Sequence, residues 1–269
     1  MLFSYLTADC AFENIPHWVF VAILLAETIL IFFLPINESR RYVGTMGEPN
    51  ALATFAIFLW PFGFAALDKI KEFKLVWKGL LIVPVCLILF FSGSRSGMIA
   101  FGIQLLFLIL LGTKFSFKKA AIICLSVILF SYLFPLLQNN PYENRVEVWK
   151  SAITAGKANP ILGSGFGNAE FVLHKAARKE GLPIQYYYFD SAHNLFLDWW
   201  VQGGIIGLVL FSALVLFTAR MLLRSQNKRE FLLFIGLIVS LSFNPASVCG
   251  LLGLWWLIGR GFGKGNGYK

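Results

Sequence analysis

Apolar residues fall in long unbroken runs rather than at alternating positions. Eight runs are long enough, or nearly so, to cross a bilayer as helix: 17–36, 51–67, 75–92, 97–113, 119–137, 194–219, 231–244 and 246–259. About 20 apolar residues at helical rise cover the ~30 Å of bilayer hydrocarbon. The last two runs are short and meet at Asn244-Pro245, a turn or helix break, so they are either two spans or one re-entrant hairpin. Residues 1–12 are apolar but too short to span, and they lack the basic start and small-residue cleavage site of a signal peptide. The pattern predicts an all-α polytopic membrane helix bundle of about eight transmembrane helices. As a single membrane domain, 1–269, it divides into five helices over 17–137, one large outer loop with short helices over 138–192, and three helices over 193–260.

Composition strengthens this reading. The chain is 58% hydrophobic and 14% charged over 269 residues, whereas soluble domains carry about 25% charged residues. A single water-soluble core cannot hide so much apolar surface. The four cysteines (Cys10, Cys86, Cys124, Cys249) show no CxxC spacing and three lie in apolar runs. They read as small hydrophobes, with no disulfide framework, metal site or cofactor expected.

Charge then orients the bundle. Fourteen of the 23 cations lie in one set of loops: Lys69, Lys71, Lys74 and Lys78; Lys114, Lys118 and Lys119; Arg220, Arg224, Lys228 and Arg229; Arg260, Lys264 and Lys269. Lys and Arg in short loops mark the cytoplasmic side. Both termini are therefore expected inside and the 138–192 loop outside. The basic clusters meet anionic lipid headgroups, so the lipid bilayer is the expected partner and no nucleic acid is needed to explain them.

The polar residues that a plain bundle does not need all fall on the outer side. In RRYVGTMGEPNALA, 40–53, Gly44, Gly47 and Pro49 make a turn and Asn50 is the expected cap of the next helix, while Arg40 and Arg41 run against the charge bias. FSGSRSGMIA, 91–100, is a short hairpin centred on Arg95. That guanidinium either reaches lipid headgroups or binds an anion in an outer cavity, since mid-membrane placement costs about 2.5–3.5 kcal/mol. Over 139–168, Asn140-Pro141 reads as a helix start. Val146, Trp149, Ala152 and Ile153 then recur at helical spacing, with Arg145 one turn before Trp149 on the same side. That is an amphipathic helix, lying on the membrane surface or packed on the bundle. GSGFG, 163–167, lacks the ending of a phosphate-binding loop. It is either a helix-ending turn or a nest of amides for an anion.

The stretch FDSAHNLFLDWWVQ, 189–202, puts polar residues at the lip of an apolar run. Asn194, Asp198 and Gln202 stand at i, i+4 and i+8, on one face that must look inward. Gly203, Gly204 and Gly207 allow close packing behind them. His193 is either a capping residue or a base: a helix N-terminus opposes imidazolium and favours the neutral ring. His174, in a helix-like stretch 168–180, reads as a surface residue, and Tyr186, Tyr187 and Tyr188 either stack on sugar rings or are interfacial aromatics. Arginine forks bind phosphate oxygens and a neutral histidine takes a hydroxyl proton. Together these suit attack of a hydroxyl on a carbon that carries a lipid-borne diphosphate.

The order of these motifs, RRYVGTMGEPNALA, then GSRSG opening a helix, then NRVEVWKSAI…NPILGSGFG, then AHNLFLDWWVQGGIIGLVLF, resembles the O-antigen ligase and polymerase superfamily over about residues 40 to 220. The resemblance implies a multi-pass glycosyltransferase of the bacterial inner (cytoplasmic) membrane with its active face periplasmic. Such an enzyme moves a glycan from an undecaprenyl diphosphate carrier onto lipid A–core or onto a growing polysaccharide, in lipopolysaccharide biosynthesis, without a metal. Carried over by motif, His193 is the catalytic base, and Arg95 and Arg145 contact the carrier diphosphate. Arg41 is a further substrate-binding candidate, as are Asn194 and Asp198, and Gly163 and Gly165 shape the loop beside the site. Family members are usually longer, with several more helices ahead of the RRYVGTMGEPN turn, and often carry an acid where Gln202 stands. The alternatives are a non-enzymatic carrier or channel for a lipid-linked or anionic substrate, and an inactive truncated family member.

Overall fold

The structure, a computed structural model, describes residues 15–36, 41–111, 145–181, 190–225 and 228–265. Among them the chain is helical, in the order α1 (His17–Leu30), α2 (Pro49–Ala66), α3 (Lys74–Ser92), α4 (Arg95–Leu111), α5 (Arg145–Ala158), α6 (Ala169–Lys179), α7 (Leu195–Arg224), α8 (Lys228–Leu241) and α9 (Val248–Gly265). Seven of the eight apolar runs recur as helices. The eighth, 119–137, lies outside the described residues, as do Asn140-Pro141 and Tyr186–Tyr188. The last two runs are separate helices, α8 and α9, parted at residues 242–247 where Asn244-Pro245 was expected to break the chain. By length and composition α2, α3 and α7 can each cross a membrane, and α1, α4 and α9 are shorter apolar helices.

Two compact units emerge. The first takes in α1 to α4, most of α8, and α9; the second takes in α5, α6, α7 as far as Thr218, and residues 241–247. In the first, α2 is the hub: it packs on α1, α3, α4 and α9, and nearly every side chain from Pro49 to Gly63 is buried. The outward surface is apolar, with Leu75, Leu80, Val83 and Phe90 of α3 exposed, whereas Thr54, Gln104, Ser92, Ser94 and Ser240 are buried. That inversion is what a hydrocarbon solvent selects, since polar side chains there must find partners inside the protein.

Several buried polar groups of the first unit are paired with one another. Thr54 Oγ1 lies 2.7 Å from Ser240 Oγ. Gln104 of α4 accepts from Trp60 Nε1 at 2.7 Å and donates to the carbonyls of Ile57 at 3.1 Å and Leu232 at 2.9 Å. One amide thus ties α2, α4 and α8 together, and a side chain at Gly236 would collide with it. Replacing Gln104 by Leu leaves the Trp60 N–H without its acceptor in a dry site. The expected loss is about 1–3 kcal/mol of stability, read as a lower melting midpoint in detergent.

Charged and aromatic groups of the first unit collect at its turns. At one end Arg229 bonds His17 and lies 5.0 Å over the Phe62 ring, and Arg260 bonds Glu230 at 3.1 Å. The turn from α2 to α3 belongs to the same set of loops. There Asp68 bridges Lys74 and Lys78, each at 2.6 Å. Partial burial opposes ionisation of Asp68, but the two ammonium groups outweigh it and hold the carboxyl below its ordinary value. At the other end the Tyr42 amide donates to Phe91, and Phe32, Tyr42 and Phe91 stack edge-on with centroids 5.0–6.2 Å apart.

Candidate active site

In the first unit the candidate residues Arg41 and Arg95 sit on two adjoining turns. Glu27, buried in α1, accepts the Thr45 N–H at 2.7 Å and the Thr45 hydroxyl at 2.8 Å. Gly44 beside it has φ +54°, and a Cβ there would overlap the Glu27 carboxylate, so glycine is required. The cap of α2 is Glu48, which accepts the Ala51 N–H at 2.5 Å. Asn50, expected in that role, instead lies inside the first turn. Its Oδ1 accepts from Arg41 at 3.0 Å and from Ser94 Oγ at 3.0 Å. Arg41 Nε also donates to the Ser92 carbonyl at 2.7 Å. Arg41 thereby ties its own turn to the Ser92-Gly93-Ser94 hairpin that leads into Arg95, the first residue of α4.

In the second unit, α5 packs on α6 through Val148, Ala152 and Ala155 against Leu173, Ala176 and Ala177. The stripe expected from 146, 149, 152 and 153 is displaced: Val146 and Ile153 are exposed, and Ser151 and Gly156 face inward. Small side chains permit the close approach, and a Cβ on Gly156 would sit 2.9 Å from the Trp200 ring. Arg145 and Trp149 do share a side: Arg145 donates to Asn244 Oδ1 at 3.1 Å and Trp149 meets the Phe243 ring at 6.2 Å. His174 is half-buried in α6 rather than at the surface.

The glycine loop is built into a break in α7. Gly204 has φ +62° and ψ −164° within the helix, a conformation essentially confined to glycine. Helix carbonyls freed by the break are taken up by the loop: Ser164 N donates to Val201 O at 2.9 Å and Gly165 N to Gln202 O at 3.0 Å. The Ile205 N–H donates to Pro160 O at 2.8 Å. Gly167 N donates to Gln202 Oε1 at 3.0 Å, and Ser164 Oγ to Val201 O at 2.8 Å. A Cβ on Gly163 would overlap the Gln202 carbonyl and one on Gly204 the Ile161 carbonyl. The amides of 164, 165 and 167 thus bond protein carbonyls, not an anion, which removes the nest reading. Gly163 and Gly165, at φ +71° and +88°, let the loop reach the break.

The polar face of α7 continues the bracing upward. Gln202 Nε2 donates to the Asp198 carbonyl at 3.4 Å, so its two amide ends serve the loop and the helix. Asp198 Oδ1 accepts the Ala192 N–H at 2.7 Å. Asn194 caps α7, its Oδ1 accepting from Phe196 N at 3.0 Å and Leu197 N at 3.1 Å. That displaces the capping reading of His193. His193 itself has φ +52°, a left-handed backbone uncommon for non-glycine residues. Its side chain is buried, the residue being 3% exposed, and Nε2 stands 3.7 Å from Asp190 Oδ1 on the exposed Asp190. The second unit therefore gathers His193, Asn194, Asp198, Gly163, Gly165 and Arg145, and the first gathers Arg41 and Arg95. Asp190 was not singled out from sequence; its spacing of three from His193 was the available signal. Among the described residues no group of three or more His, Cys, Asp and Glu could hold a metal ion.

Apolar outward faces, polar groups held in the interior and a broken helix with a buried histidine at its lip define a polytopic helical membrane protein. Residues 79–212 match the family model described as O-antigen ligase, a segment that holds every candidate residue except Arg41. That match and the relatives below support the O-antigen ligase superfamily. It is similar to the ComP-specific O-oligosaccharyltransferase of Acinetobacter baylyi, 24% identical over 247 residues, which is 81% of this chain and 44% of that one. It is also similar to an uncharacterized protein of Haemophilus influenzae, 23% identical over 192 residues, 62% of this chain and 47% of the other. The chain spans under half the length of these relatives.

Proposed function

We propose that the protein is a glycosyltransferase of the bacterial inner membrane that transfers a glycan from undecaprenyl diphosphate to a hydroxyl at the periplasmic face. His193 takes the acceptor hydroxyl proton as the acceptor oxygen bonds the anomeric carbon. The bond from that carbon to the carrier diphosphate breaks, and undecaprenyl diphosphate leaves with its electron pair. Arg95 and Arg145 supply the donors for the charge that develops on the leaving group, and Arg41 holds the hairpin that presents Arg95. The observation that carries the reading is His193, a buried imidazole held in a left-handed turn with a carboxylate 3.7 Å from Nε2. An imidazolium formed there by proton transfer is stabilised by Asp190.

Purified protein in vesicles, given a lipid-linked glycan donor, is expected to release one carrier diphosphate per glycan transferred. Movement of the donor across the vesicle without release would overturn the proposal in favour of a carrier. Three acceptors are to be compared: lipid A–core, a growing polysaccharide, and a protein, the last because the name of the Acinetobacter relative gives ComP as its target. Within this reading Asp198 acts on His193 through the backbone, since its carboxylate holds the Ala192 N–H. Asp198→Asn keeps an acceptor and is expected to hold transfer within about threefold. Asp198→Ala loses it and is expected to lower transfer by roughly 10–100-fold, mostly in kcat, because small misplacements of a reacting group are that costly.

A further inference from the structure

We infer that the glycine loop is a lipid-inserted wedge, its side chains Ile161, Leu162 and Phe166 lying in the bilayer boundary beside α7. These three are 62%, 76% and 66% exposed, large apolar groups on a loop whose amides at 164, 165 and 167 bond α7. Depth follows from how the loop is held. Its backbone is hydrogen-bonded to residues 201, 202 and 205, so it lies at the height of the α7 break. Gly204 precedes Arg220 by 16 positions in a helix that runs on to Arg224, or about 24 Å at 1.5 Å per residue. With Arg220 at one headgroup layer, the break lies within the ~30 Å of hydrocarbon or just inside its far boundary, and tilt of the helix only deepens it.

Two further observations agree. The exposed surface of α7 immediately beyond the break, Ile205, Ile206 and Val209, is apolar and continuous with the loop. A helix broken near the hydrocarbon boundary needs partners for the backbone groups that the break frees. Here Ser164, Gly165 and Gly167 all donate to α7 groups, and Ser164 Oγ does the same. The sequence leaves the helix beginning near Arg145 either on the membrane surface or packed on the bundle. The structure packs that helix on α6, and the loop that follows it carries large apolar groups that are more exposed than Val146 and Ile153.

The experiment uses the full chain with its four cysteines replaced by serine and one nitroxide-labelled cysteine introduced, reconstituted in phosphatidylcholine vesicles. Leu162→Cys is the test position, Ile161→Cys its duplicate, Leu210→Cys the lipid-facing reference and Lys157→Cys the water-facing one. The ratio of collision with oxygen to collision with a nickel chelate is expected at Leu162 to match Leu210. It should exceed that at Lys157 by at least about tenfold, because a polar chelate is excluded from hydrocarbon. A ratio equal to that at Lys157 overturns the inference. Low collision with both reagents overturns it as well, by showing the loop covered by protein. Neither outcome bears on glycan transfer, so the inference and the proposed function stand or fall separately.

Discussion

Replacing His193 by Asn is expected to reduce glycan transfer by roughly 10²–10⁴-fold, the range that a positioned base supplies, while the protein stays inserted and folded. Asn is the informative substitute because His193 occupies the left-handed region at φ +52°, which Asn enters readily and most residues do not. His193→Ala removes the same ring but adds backbone strain of about 1–2 kcal/mol, so its loss of activity mixes two causes. Transfer is measured as release of carrier diphosphate, and folding as the melting midpoint in detergent. If His193→Asn transfers at the wild-type rate, the base is elsewhere. If Asn is active and only Ala is not, the histidine serves the turn and not the chemistry.

The second large effect concerns adjacent glycines with opposite expectations. Gly204 has φ +62°, and a Cβ there would overlap the Ile161 carbonyl. Gly204→Ala therefore forces both a backbone conformation that side chains avoid and a collision with backbone that cannot rotate away. The combined cost is at least ~3 kcal/mol. A fall in melting midpoint of roughly 5–10 °C is expected. At Gly203 the added Cβ would meet only the far end of the Phe166 ring at 3.6 Å, an ordinary contact. Gly203→Ala should leave the midpoint within a degree or two, since alanine also favours the helix by about 1 kcal/mol. Equal effects at the two positions would refute the broken-helix geometry.

The helices were legible because hydrocarbon demands long apolar runs, and such runs need no tertiary information to be seen. The 75–92 run recurs as Lys74–Ser92, and 51–67 as Pro49–Ala66. The break at Gly204 was not legible. Hydropathy treats 194–219 as one run, and the groups that satisfy its freed carbonyls come from residues near 164, some forty positions earlier. The cap of α2 was misassigned for a related reason. Glu48 and Asn50 are both good local acceptors, and only Arg41 and Ser94, delivered by other elements, draw Asn50 away. At the site, the shared face of Asn194, Asp198 and Gln202 was visible from spacing. The left-handed backbone of His193 and the hold of Asp198 on Ala192 depend on the path of the chain before α7, which periodicity does not encode.

The break in α7 also has a meaning for how the chain enters the membrane. The part of the helix beyond Gly204, Ile205 to Arg224, is itself about 30 Å long at helical rise, enough to serve as the stop-transfer signal alone. Asp198 and Gln202 then lie ahead of the segment that the insertion machinery must accept. The ~2.5–3.5 kcal/mol that a buried acid would add to partitioning at mid-bilayer does not arise. A chain can thus carry a carboxylate next to its histidine without weakening the hydrophobic signal that delivers both.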